Sequence, residues 1–574
     1  MAFFETLGGA AMSESIVQET FETKMRDGNV LKADVWRPAT GGKQPVLLIR
    51  LPYDKSQGED LCYAHPSWYA RHGYAVVVQD VRGRWASGGE FIPFESEADD
   101  GDDTMSWLES LPFSNGRIGM YGFSYSGHTQ LQIAVRKPQG LRCMVPAMTS
   151  PDLYEGWAYN NGAFALAFNA SWATQLADDV ARRRDPDLEP ALAAQYAKVN
   201  DYYWWLPLTA IPNLTPGSPG GFFSDWLAHE TKDDYWKRWD LTDKLPEVTV
   251  PTLAVGGLYD VFLEGTVANY HGIRRGPRSA DTRLIIGPWY HMPWMPAFGD
   301  VDFGPEARNQ VDQFQLAFFD QCLRDGDPVE GARVRVFVSG ANRWEGFEDW
   351  PPPSKSWPLH LRARTRANSI SGDGYLSEEA PGSSETPDTY SYDPAAPVLS
   401  RGGRSCCLDF VAPMGPYDQR PVESWNGVLV YSSEPLREER LVAGMIRAHL
   451  FAATNQPDTD WVVKVCDVDP AGRSINIQET IQRARFAGGT DRSRPIPAGQ
   501  VTEFVLEVGT CAHLFKAGHR VRVQVASSHF PHWDRNLNTG NPVGVDRLSD
   551  RRVAIQTVLH DHAHPSRVVL PVLS

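Results

Sequence analysis

Three side chains, taken in chain order, have the types that a hydroxyl nucleophile requires: Ser124, Asp260 and His291. Ser124 lies in Gly122-Phe-Ser-Tyr-Ser-Gly127, directly after the apolar run Ile118-Gly-Met-Tyr121. A nucleophile elbow needs a strand, a sharp turn that pushes the hydroxyl outward, and a helix, with small residues two places either side of the nucleophile. Gly122 meets the first condition. Ser126 is small but not glycine, and Gly127 falls one place late. If Ser126 were the nucleophile, His128 would stand two places after it and crowd the turn, so Ser124 is the better choice. By itself the motif does not separate a catalytic turn from a structural one.

Chain order adds the discriminating signal. In an α/β-hydrolase the acid and then the histidine follow the nucleophile, each on a loop after a sheet strand. Leu253-Ala-Val-Gly-Gly-Leu-Tyr-Asp260 and Leu284-Ile-Ile-Gly-Pro-Trp-Tyr-His291 are such strand-then-residue segments. Ser124 then attacks a carbonyl, His291 moves its proton, and Asp260 orients the imidazole. The backbone N–H of Tyr125 is one oxyanion donor. The loop Arg50-Leu-Pro-Tyr53-Asp-Lys55 has no glycine run to offer a second amide, but it offers the Tyr53 hydroxyl.

These residues need elements to hold them. Apolar runs at 45–50, 74–80, 117–121, 143–147, 252–256, 283–287 and 334–338 alternate with helix-like segments such as 97–111 and 306–324. That alternation predicts a mostly parallel sheet covered on both faces. Between 152 and 245 the strand pattern gives way to helical stretches, read from Trp172 to Arg182 and from Leu188 to Val199, as in a cap. After Pro351-Pro-Pro353, short alternating strands between Gly, Pro, Asp and Ser turns predict an all-β sandwich or jelly roll. The expected division is 16–150 and 246–356 for the α/β core, 151–245 for the cap and 357–574 for the β module. The chain's 574 residues suit roughly two to four domains.

Composition narrows the function classes. A net charge of −16 with no basic run argues against a nucleic-acid partner. No apolar run approaches a membrane span, and the first lysine is Lys24, too late for the positive start of a secretory signal. A cytoplasmic enzyme with no membrane partner is expected. Seven cysteines include no CxxC, and the adjacent Cys406 and Cys407 are a poor geometry for a bridge. His560-Asp-His562-Ala-His564 reads as a solvated turn, and Asp99–Asp103 as a helix start; no metal or other cofactor is expected.

The ordered set RLPYDK (50–55), QDVRGRWASGGEF (79–91), GFSYSG (122–127), GLYD (257–260), GPWYH (287–291), HFPHWDRNLNTG (529–540) and HPSRVVLP (564–571) resembles the cocaine esterase-like branch of the X-Pro dipeptidyl-peptidase hydrolases. The resemblance runs from about Glu19 to Pro571. It implies an α/β-hydrolase core with a helical cap insertion and a C-terminal jelly roll. It implies Ser124, Asp260 and His291 as the triad and Tyr53 with Tyr125 as the oxyanion hole. A displaced second elbow glycine is shared by that family. The branch acting on α-amino acid esters carries acids two and three places after the orienting Asp; here Phe262 and Leu263 stand there, which suggests an apolar or aromatic acyl group. Tyr159 in the cap is a further pocket candidate. The expected activity is cleavage of a small-molecule ester, with amides as an extension. The alternatives are an X-Pro dipeptidyl peptidase or β-lactam acylase, and an inactive ligand- or carbohydrate-binding protein. The resemblance leaves a homodimer as one option for assembly.

Overall fold

The computed structural model describes residues 15–39, 41–58, 60–407 and 412–574. Its first sheet has ten strands: β1 (Ile16–Lys24), β2 (Val30–Pro38), β3 (Gln44–Leu51), β4 (Ala75–Asp80), β5 (Ser114–Phe123), β6 (Leu141–Ala147), β7 (Thr252–Gly257), β8 (Thr282–Gly287), β9 (Val334–Val338) and β10 (Arg343–Phe347). The spatial order is β1-β2-β4-β3-β5-β6-β7-β8-β9-β10. From β4 across to β9 every pairing is parallel, while β1, β2 and β10 are antiparallel additions. The central runs are apolar at nearly every position because helices cover both faces, and Val46 to Ile49 and Ala75 to Val78 are fully buried. Parallel strands all end on one side of the sheet, so the loops after β3, β5, β7 and β8 meet there. Those four loops carry Tyr53, Ser124, Asp260 and His291.

The segment between β6 and β7 is mainly helical. Its long helix runs Leu166–Arg184, starting six residues before the expected Trp172. The first turn has no polar N-cap to announce it: the cap position is Ala165, and no side chain bonds the free amides. A two-residue ladder, Tyr159–Asn160 with Ala163–Phe164, precedes it and is too short to leave a periodic signal. The aromatic side chains of this insertion, among them Trp157, Phe168, Trp172, Trp226 and Trp236, form one buried cluster with Tyr125 and Phe262 of the core. Aromatic burial therefore fastens the insertion over the carboxyl ends of the strands.

From Ser354 onward the chain builds a second sheet of eleven strands, all-β as the alternating pattern predicts. Its longest ladder pairs Arg440–Thr454 with Thr502–Phe515. Segments of this module reach back to the core: Ser405 bridges Asp260, and Ser339 bridges His513. The acidic stretch Asp99–Asp103 lies in the helix Glu97–Ser110 and faces Arg26 and Arg136 in ion pairs, which supports reading it as a helix start. His560 sits between Glu385 and Asp388 at 3.1 and 3.0 Å, so that histidine tract is tied into the β module by ion pairs. No helix among the described residues is long and apolar enough to cross a membrane.

Candidate active site

Strand β5 ends at Phe123, and the next residue turns back on itself. Ser124 has φ 62° and ψ −122°, a conformation that costs energy in an L-residue and persists only where its surroundings impose it. Here the backbone imposes it. The Ser124 N–H donates to the carbonyls of Ala147 and Met148, at 3.0 and 3.2 Å, which pins the turn to the end of β6. The helix Tyr125–Ala134 starts at once. The displaced glycine has a steric cause. A Cβ at position 127 would stand 2.8 Å from the Ala147 carbonyl oxygen and from Thr149, so the close approach of helix and β6 loop falls at Gly127 rather than at Ser126.

The same helix is anchored from below. The Tyr125 hydroxyl donates to Glu97 at 2.8 Å and accepts from the Phe94 N–H at 2.9 Å. Glu97 in turn pairs with the fully buried Arg50 at 2.6 Å. The side chain of Tyr125 thus holds the elbow, while its amide, first in the helix, is outside the helical ladder and available to an acceptor at the turn.

His291 and Asp260 meet as the chain order predicts. The imidazole Nδ1 lies 2.7 Å from Asp260 Oδ1, and both residues are buried. Burial pushes the Asp260 carboxyl above its ordinary range, and the hydrogen bond from His291 is the largest influence opposing it. The imidazole is held edge-on by Phe123 and Phe262, each with ring centroids 5.3 Å away.

Ser124 and His291 line one cavity of about 610 Å³ together with Tyr53, Phe168 and Trp172. The Tyr53 hydroxyl accepts from Trp172 Nε1 at 2.9 Å, which ties it to the cap helix at the cavity wall. The loop carrying Tyr53 is fastened by Arg84, which donates to the Pro52 carbonyl at 2.9 Å and to Leu176 of the cap helix at 2.7 Å. Nearby Arg82 bonds Asp100 and Asp27, a structural role for the Asp80-Val-Arg82 segment. Tyr53→Phe is expected to lower kcat by about 10²–10³-fold with KM nearly unchanged, the effect of losing one oxyanion donor. Steady-state kinetics on a p-nitrophenyl ester measure it, and an unchanged kcat removes the hydroxyl from the site.

The remaining sequence candidates are placed differently. Phe262 is fully buried, packed on Trp157 at 4.4 Å and on Phe168 at 5.6 Å, so it backs the cavity wall rather than forming its surface. Leu263 begins the helix Leu263–Arg274 and packs in a different cluster, with Tyr259 and Tyr270. Tyr159 is stacked on Tyr154 inside the cap and donates to the Trp226 carbonyl at 2.9 Å, away from the cavity. Phe168 and Trp172, which do line it, were not among the sequence candidates. Phe168, Trp172, Gln175 and Leu176 share one face of the helix at 3.6-residue spacing; a start at Trp172 leaves Phe168 out, and the spacing does not say which face meets a cavity.

The adjacent cysteines depart from expectation. Cys406 and Cys407 are joined by a disulfide, and Cys407 lines the cavity. Backbone geometry is the reason: Cys407 has φ 87°, and this left-handed turn brings the two side chains to the same side. The other five cysteines form no disulfide.

Comparison with known proteins agrees with this architecture. The model of the X-Pro dipeptidyl-peptidase (S15 family) matches residues 27–293, and that of the X-Pro dipeptidyl-peptidase C-terminal non-catalytic domain matches residues 330–569. Cocaine esterase of Rhodococcus sp. (strain MB1 Bresler) is 35% identical, over 96% of this chain and 97% of that protein. An aminopeptidase from a marine sediment Thaumarchaeota archaeon superimposes with a TM-score of 0.83 at 26% identity, over 100% of this chain and 99% of that one. An alpha-amino acid ester hydrolase does so with a TM-score of 0.80 at 27% identity, over 99% and 98%. A turn that strains a serine, a buried Asp–His pair and a similarity spanning both modules lead to one assignment: this chain belongs to the cocaine esterase-like group of the X-Pro dipeptidyl-peptidase (S15) hydrolase family.

Proposed function

We propose that the protein is a serine hydrolase of carboxylic esters that works through an acyl-enzyme, with Ser124, His291 and Asp260 as its triad. One observation carries the reading: a serine on a strained elbow and a histidine bonded to a buried aspartate line the same aromatic cavity. Ser124 Oγ attacks the ester carbonyl as His291 accepts its proton. The resulting oxyanion takes hydrogen bonds from the Tyr125 amide and the Tyr53 hydroxyl. His291 then protonates the departing alcohol, and water, activated by the same imidazole, releases the acid. The wall of Phe168 and Trp172, backed by Phe262, suits an apolar or aromatic acyl group. Similarity to a cocaine esterase supports ester chemistry over peptide chemistry. Five cysteines outside any disulfide support a cytoplasmic location.

A second reading is hydrolysis of aminoacyl esters, since two of the structural relatives are named for amino-acid substrates and Asp54 and Asp60 stand on the cavity's lining. A panel of p-nitrophenyl esters separates the two. Benzoyl and medium acyl esters are expected to show higher kcat/KM than aminoacyl esters, with a fluorophosphonate forming a single adduct on Ser124. Preference for aminoacyl esters selects the second reading, and no turnover with any acyl group, together with no adduct, overturns both.

A further inference from the structure

The β module holds a cluster for which the ester chemistry has no use. Glu479 lies on the strand Ser474–Arg483, and His529 and His532 lie just beyond the strand Arg520–Ala526. All three are at most 3% exposed. One donor atom from each lies within 4.8 Å of the other two. His529 Nε2 and His532 Nδ1 are buried without a hydrogen-bond partner. Buried polar atoms are nearly always satisfied, so two unsatisfied ring nitrogens beside one carboxylate call for an explanation.

The rings are also oriented as metal ligands are. Each has a backbone hydrogen bond that favours its protonated form, to Gly402 for His529 and to Arg404 for His532, so the backbone carbonyl is the acceptor. A ring N–H fixed on a carbonyl sets the tautomer and leaves the lone pair on the other nitrogen, the usual arrangement of ligating histidines. Glu479 is held by the Arg404 N–H at 2.7 Å. Position 403 has to be glycine here, because a Cβ would fall 2.1 Å from Glu479 Oε1.

The opposing charges have other partners. Two cations face the cluster, Lys464 and Arg404. The Lys464 ammonium donates to Gln419 at 2.7 Å. The Arg404 guanidinium donates to Glu264 at 2.8 Å and to the Glu479 backbone carbonyl at 2.7 Å. His532, Arg404 and Glu264 also line a second cavity of about 550 Å³, which gives an ion a route in.

We propose that Glu479, His529 and His532 form a divalent transition-metal site, with zinc the ion that two imidazoles and one carboxylate fit best. The site clamps residues 402–404 to the β module. Ser405, the next residue, bridges Asp260, and Cys407 lines the catalytic cavity. The ion is therefore structural, steadying the wall behind the orienting aspartate.

The test uses the full chain, stripped with a chelator, dialysed, and titrated with zinc against a chromophoric competitor. One equivalent is expected to bind with Kd of about 1 µM or tighter, and the His529→Gln/His532→Gln double variant is expected to weaken it at least about 100-fold. Circular dichroism and residual ester hydrolysis establish that the variant is folded. No site tighter than about 1 mM in the wild type, or unchanged affinity in the folded variant, overturns the proposal. Cobalt titration of the wild type gives a readout independent of the variant's folding. Intense visible bands of four-coordinate cobalt are expected, and the weak bands of a six-coordinate aqueous ion overturn the site.

Discussion

Replacing Ser124 with alanine is expected to lower kcat for a p-nitrophenyl ester by about 10⁶-fold while KM changes little. The backbone of the elbow is set by its two amide bonds to Ala147 and Met148 and by the Gly127 contact, none of which involves the serine side chain. Alanine therefore inherits the same turn, and the variant keeps its fold and its cavity. What it loses is the hydroxyl that the proposed mechanism acylates. Ser126 cannot take over: it is fully buried two residues into the sequence beyond the elbow, and it does not line the cavity. Residual hydrolysis of about 10³-fold over water would still come from the oxyanion donors and binding. Stopped-flow kinetics add a second readout, since the burst of p-nitrophenol that marks acylation disappears with the nucleophile. A loss of less than tenfold, or a burst that survives, would reassign the attack to another group.

The sequence made the chemistry more legible than the pocket, and physics explains the difference. Ser124, Asp260 and His291 are each tied to the end of a parallel strand, and apolar strands between helices are the strongest periodic signal a chain carries. The offset Gly127 looked like a defect because a motif counts positions, whereas the fold counts the clearance between one helix and one carbonyl. Phe168 falls outside the expected helix because an uncapped start leaves no mark in the residue types, and Trp172, inside it, carries no sign in the sequence of which face meets the cavity. Leu263 shows the reverse: proximity in sequence to a functional residue does not set direction, since Leu263 and its neighbour Phe262 pack into different clusters at the start of one helix. The pairing of Cys406 with Cys407 depended on a left-handed residue, which a non-glycine position does not advertise.

Asp260→Asn is the second large effect, a fall in kcat of about 10⁴-fold with KM held within a few-fold. The carboxylate accepts from His291 Nδ1 at 2.7 Å in a buried setting, so it decides which nitrogen keeps the proton. With Nδ1 protonated, Nε2 keeps the lone pair that the proposed proton transfer from Ser124 needs. An asparagine can present its NH₂ to Nδ1 instead, which moves the ring proton to Nε2 and leaves the base unable to accept from the serine. If the amide presents its oxygen, the tautomer is correct but the imidazolium formed during attack has lost its counter-charge in a low-dielectric site, where that charge matters most. Both orientations raise the barrier without touching the substrate contacts, because Asp260 is fully buried and does not line the cavity. Fluorophosphonate labelling of Ser124 is expected to slow in parallel with turnover, since both need the same base. A kcat within tenfold of the wild type would mean that another acceptor orients His291, and labelling at the wild-type rate would separate the aspartate from activation of the nucleophile.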